Sequence, residues 1–97
     1  MKKIPFYFEE HTKNDEQMEK LSYFVLLREV DVPGWANLES YGVEIRLGDE
    51  SAAVDDVTLS SERIKGIVKS LADWHVTPVH LREALEDLLA GQLKFQA

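Results

Sequence analysis

The sequence predicts an α+β fold: an antiparallel three- to four-stranded meander sheet followed by a two-helix hairpin packed on one face. Three observations predict it. Apolar residues alternate with polar ones up to about Leu59, they recur with helical spacing after Ser60, and turn residues separate the successive runs. One domain spans residues 1–97, with strands at about 3–59 and helices at about 61–74 and 78–90.

The first strand is read from Ile4, Phe6 and Phe8, which alternate with Pro5, Tyr7 and Glu9; a proline suits a strand start or a sheet edge. The polar stretch His11 to Glu19 makes the return. Leu21, Tyr23, Val25 and Leu27 then run in phase, and Phe24 and Leu26 between them are apolar too, so this strand is expected to be central and buried on both faces. Pro33-Gly34 supplies a type II turn, in which glycine takes the positive φ. The return strand carries Tyr41, Val43, Ile45 and Leu47 on one face and Ser40, Gly42, Glu44 and Arg46 on the other. A further turn at Gly48-Asp49 leads into Ala53 to Leu59, where Asp55-Asp56 interrupts the alternation as a bulge or a short strand end does.

Two helices follow, each with a start signal. Ser60 is expected to cap the first while Leu59 packs on Ile64 as a hydrophobic staple, and Ile64, Ile67, Val68 and Leu71 form its apolar stripe. In the stretch WHVTPVHL, residues 74–81, Thr77 is expected to cap the second helix, Pro78 to take its first position and Val76 to staple to Leu81. Leu81, Ala84, Leu85, Leu88 and Leu89 form the second stripe, and Gly91 is expected to end the helix as a left-handed residue.

Composition excludes several functions. The chain has no cysteine, so thiolate metal sites, disulfides and a cysteine nucleophile are absent. Its 18 acidic and 11 basic side chains give a net charge of −7, divided almost evenly about Gly48, which opposes binding to phosphate backbones or anionic lipid. Lys2-Lys3, the one adjacent basic pair, reads as solubilising. No apolar run approaches the roughly 18 residues of a membrane span, and Pro5, Glu9 and Glu10 interrupt any leader after Met1. A cytoplasmic protein with no nucleic-acid or membrane partner is expected.

Candidate chemistry is weighed on this scaffold. His75 and His80, with Asp73 and Glu83, are the residues a metal or small-ligand site would use, but no HExxH-type spacing surrounds them and a helix joint explains the motif. Asp55 and Asp56 would diverge on a regular strand. No GxGxxG, GxxxxGK[ST] or GxSxG run occurs, so no catalytic residue, cofactor or metal is assigned. A helix-turn-helix reading fails because His80, Arg82, Glu83, Glu86 and Asp87 would present an acidic reading helix. Trp74 reads as a plug between the helices. Trp35, at a hairpin tip, is either a partner anchor or folded back on its own hairpin. If the helices cover Tyr23, Val25 and Leu27, Phe24 and Leu26 face the other way, to be shielded by Leu93, Phe95 or Tyr7, or by a partner.

The runs YFVLL at 23–27, YGVEI at 41–45, VDDVTLS at 54–60 and TPVHLREALEDLL at 77–89 resemble a family of short uncharacterised bacterial proteins, found mainly among clostridia and related Firmicutes. The resemblance spans Leu21 to Leu89. It implies a small cytoplasmic bacterial protein with strands before a helical hairpin, and no known activity. The function expected is that of a non-catalytic protein-interaction or regulatory module, with Phe24, Leu26 and Trp35 as the interaction surface and a protein partner or homodimer as its complement. The alternative is a small-ligand or metal-binding protein using the His75/His80 region.

Overall fold

The computed structural model describes the backbone of residues 2–13 and 17–96, and the side chains of residues 2–6, 20–34 and 38–90. Its elements are β1 (Lys2–Lys13), β2 (Gln17–Val32), β3 (Trp35–Leu47), β4 (Glu50–Thr58), α1 (Ser61–Asp73), a 3₁₀ turn (Pro78–His80) and α2 (Leu81–Gln96). The four strands form one antiparallel sheet in the order β1-β2-β3-β4, so each hairpin places neighbours in sequence side by side. The meander followed by two helices is the α+β architecture that the periodicity predicts.

The hairpin arms of β1 and β2 are longer than the alternation suggests. Pairing continues to Lys13↔Gln17, through polar residues expected to form a return. Backbone hydrogen bonding sustains a two-stranded ladder where apolar patterning stops. A register shift between Pro5 and Tyr7 also breaks the expected phase: Ile4 pairs with Val25, and Phe6 is the extra residue. At the next turn Gly34 has φ 84°, as a type II turn requires.

Both helices pack on the sheet face bearing Leu21, Tyr23, Val25, Val43 and Ile45, whose buried side chains meet Ile64, Ile67, Val68, Leu71, Leu81 and Leu85. Burying each such aliphatic chain contributes about 1.5–3 kcal/mol. Tyr41 packs at the margin, whereas Leu27 is half-buried and lies outside this cluster. The molecule measures 55 × 32 × 17 Å, and the smallest extent is that of one sheet and one helical layer.

The helix ends correct several expectations. Ser60 does cap α1, its hydroxyl accepting from the Arg63 N–H at 3.2 Å. Leu59, however, is 59% exposed and lies outside the core cluster that Ile64 joins. At the other end Trp74 is the C-cap, and His75 adopts φ 53°. The His75 N–H donates to the Ala72 carbonyl at 3.1 Å and the Val76 N–H to Leu71 at 3.0 Å, the two bonds of a Schellman motif. The motif's apolar contact is supplied by Val76 and Leu71, which share the core. Thr77 makes no side-chain capping bond; its carbonyl accepts from the His80 N–H at 3.0 Å in the 3₁₀ turn instead. α2 also runs through Gly91 to Gln96, because a glycine in a helix costs only about 1 kcal/mol and does not by itself end it.

These caps make a paired prediction. Ser60→Ala should destabilise by about 0.5–2 kcal/mol, and Thr77→Ala by less than about 0.5 kcal/mol, in urea denaturation. Equal losses from the two substitutions would show that Thr77 caps α2 in solution.

Candidate interaction surface

The outer face of the sheet, opposite the helices, is built from the alternate residues of the same strands. Across β2 and β3 the pairs are Ser22↔Arg46, Phe24↔Glu44, Leu26↔Gly42 and Arg28↔Ser40. Leu26 is 5% exposed and Phe24 is half-buried. Part of their cover comes from Lys3. This residue pairs with Leu26 from β1, yet its Nζ donates to Glu44 Oε2 on β3 at 2.8 Å and lies 5.4 Å from the centre of the Phe24 ring. The lysine stem therefore crosses β2 beside Phe24, its methylenes on apolar surface and its ammonium on a carboxylate and an aromatic face. Arg46 Nε stands 3.5 Å from the same carboxylate.

Lys3 was missed by sequence reasoning, which read Lys2-Lys3 as a solubilising pair. Strand alternation held a usable signal, since it puts Lys2 and Lys3 on opposite faces. The shields expected from Tyr7, Leu93 and Phe95 lie outside the described side chains, as does the side chain of Trp35.

A second charge pair closes the other end of this face. Arg28 on β2 holds Asp56 on β4 through a fork: Nη2 donates to both carboxylate oxygens at 2.9 and 2.8 Å, and Nε to Oδ1 at 3.2 Å. The pair spans the intervening β3 at Ser40, which is buried. Asp56 can reach there because β4 is bulged. Tyr41↔Thr58 and Val43↔Val54 pair in register while β4 fits extra residues between them, and Asp56 takes φ 55°. Asp55-Asp56 is thus a bulge, one of the two forms expected. A hydrogen bond from Ser40, then the bond and charge of Arg28, hold the Asp56 carboxyl below its ordinary range against a weaker opposing effect of burial.

The sign of the pH effect follows. A carboxylate whose pKa is lowered on folding stabilises the fold above its unfolded pKa, and that contribution disappears as pH falls through the lowered folded value. Nuclear magnetic resonance titration should place the Asp56 midpoint below the usual aspartate range, and Arg28→Gln should raise it. An unchanged midpoint in Arg28→Gln would remove the arginine from this account.

The WHVTPVHL joint arranges its histidines differently from a metal site. His75 occupies the left-handed position after α1, and His80 Nδ1 lies 3.8 Å from Glu83 Oε2 one turn into the next segment. Asp73 is paired with Lys69 at 2.9 Å. Among the described residues no group of three or more histidine, cysteine or acidic side chains could hold a metal ion. Trp74, expected as a plug, is 58% exposed, and Val79 is 74% exposed. The Schellman turn seals the helix end with Val76, so the indole is not needed there. His80, Arg82, Glu83, Glu86 and Asp87 are exposed, as the helix periodicity predicts. No described helix is long and apolar enough to cross a membrane.

Fold and surface together define a two-layer α+β protein whose two helices pack on one face of its sheet. The chain belongs to the Family of unknown function (DUF6514), which it matches over residues 1–91. That match takes in the strand before Leu21, which the resemblance in sequence did not reach. No curated protein gives a significant match. Nor does any solved structure.

Proposed function

We propose that this chain is a small cytoplasmic bacterial protein with a non-catalytic role, an interaction or regulatory module that acts through the outer face of its sheet, first of all with a second copy of itself. The resemblance of residues 21–89 to short clostridial proteins supports the source and compartment. One observation carries the functional reading: the face opposite the helices has the half-buried Phe24 at its centre, beside the buried Leu26, and a rim whose charges are paired within the chain. An apolar centre inside a polar rim is the usual anatomy of a protein interface. Because Lys3 and Arg46 meet Glu44 and Arg28 meets Asp56, the net charge of −7 is not concentrated on this face. A two-fold pair of such faces is self-complementary, and two-fold dimers are the commonest soluble assembly. The alternative at His75 and His80 lacks a convergent donor set among the described residues.

Sedimentation equilibrium at high micromolar concentration tests the reading. The unmodified protein should be a dimer, and the double variant Phe24→Glu, Leu26→Lys a folded monomer by circular dichroism. A monomeric unmodified protein would overturn self-association through this face, and dimers that survive in the folded double variant would place the contact elsewhere.

A further inference from the structure

The bulge of β4 has a second consequence, on the side where α2 runs past the sheet. A groove of about 230 Å³ opens between them, with Val54 and Val57 of β4 and Leu85 and Leu89 of α2 as its apolar lining. Its rim carries Asp55 and Glu86 against Arg82, while the carboxylate of Asp56 is already held by Arg28. The α2 residues are Arg82, Leu85, Glu86 and Leu89, at the spacing of one helix face. Leu89, expected in the core stripe, is 37% exposed here, and Val54 and Val57 are half-buried.

Two contacts fix the bulge beside the groove. A Cβ on Gly42 would collide with the Val54 carbonyl oxygen and approach Asp55 Cα at 2.9 Å, so the absence of a side chain at this position lets the bulged backbone sit against β3. Arg28 grips Asp56 in its fork. β4 is the last strand of the sheet, so its far side has no strand partner among the described residues.

Size and charge identify the occupant. The groove is smaller than the roughly 300–1,000 Å³ of sites for drug-sized ligands, and it suits one bulky apolar side chain. Carboxylates outnumber the cation on its rim, and the whole chain is acidic, so a cationic segment is favoured and an acidic one repelled. We infer that the groove between β4 and α2 docks a short basic peptide segment of another protein, one that inserts a single large apolar side chain over Leu85 and Leu89 between flanking lysines or arginines. This contact is separate from the outer-face assembly and does not depend on it.

The probe is an amidated, fluorescein-labelled pentapeptide with one phenylalanine between two lysines on each side. It is titrated against the full chain at low salt by anisotropy and by amide nuclear magnetic resonance. The expected result is saturable binding, with shifts concentrated at Val54, Val57, Leu85 and Leu89. Exchanging the phenylalanine for alanine, or the lysines for glutamates, should abolish it. Asp55→Lys with Glu86→Lys should weaken it by about tenfold or more, through the reversed charges, and Leu89→Glu should block the apolar seat, with circular dichroism verifying that each variant is folded. Absence of saturation at millimolar peptide would overturn the inference. So would binding that ignores the phenylalanine or spreads its shifts over the acidic surface, because attraction to net charge alone then explains it. Failure here leaves the dimer reading standing, since that is read by sedimentation without peptide.

Discussion

Replacing Tyr23 with alanine is expected to remove about 3–5 kcal/mol of stability, out of the roughly 5–15 kcal/mol that holds a domain together. The side chain is wholly buried at the centre of the core face. It does two jobs there. The ring fills space between the sheet and the helices, and the hydroxyl donates to the Val76 carbonyl at 2.9 Å, tying the interhelix joint to β2 across 53 positions of sequence. Alanine loses both contributions. Tyr23→Phe keeps the ring and leaves a buried carbonyl without this donor, so its cost should be smaller, about 1–3 kcal/mol. Urea denaturation separates the two: both variants should shift the midpoint, alanine more than phenylalanine, with little change in slope. A phenylalanine variant as stable as the unmodified protein would show that the hydrogen bond contributes nothing net.

Gly42→Ala is expected to cost about 1–3 kcal/mol or more, as overpacking does where the obstructing atoms cannot rotate away. Those atoms are backbone, the Val54 carbonyl and Asp55 Cα, so the bulge itself must move. For a domain of this size each kilocalorie lowers the melting temperature by about 4–8 °C. Gly66 in α1 is the control. A Cβ there meets nothing within 4 Å, and Gly66→Ala should stabilise by about 0.5–1 kcal/mol through helix propensity. If Gly42→Ala melted with or above the unmodified protein, the close approach of β4 to β3 would not exist in solution.

Much of this fold was legible because the relevant forces act over a few residues. Alternation at Tyr41, Val43, Ile45 and Leu47 specified β3 and its buried face, and Pro33-Gly34 specified the turn before it. The α1 stripe of Ile64, Ile67, Val68 and Leu71 is buried as its period requires, and Ser60 caps it. Thr77 and Leu59 carried the same kind of signal and failed. A cap or staple also depends on the path of the neighbouring chain, which here directs Thr77 into a 3₁₀ turn and leaves Leu59 outside the core.

The candidate surfaces were less legible. Phe24 and Leu26 were placed on the outer face by parity alone, but nothing local pairs Lys3 with Glu44 or Arg28 with Asp56, residues 41 and 28 positions apart. Gly42 carried a readable hint. A glycine inside a clean strand marks a close approach or a bulge, and the Asp55-Asp56 interruption supplied the other half on the next strand.

By itself, then, the sequence determined the elements, their order, the faces they bury and the acidity of the chain, because periodicity, turn chemistry and charge are properties of neighbouring residues. Only the tertiary structure decided where β4 bulges, that Lys3 crosses β2 to cover Phe24, that His75 takes the left-handed turn, and that a groove opens beside α2. Each of these depends on atoms brought together by sheet register and helix docking, where a shift of one residue moves a side chain to the other face and removes the contact.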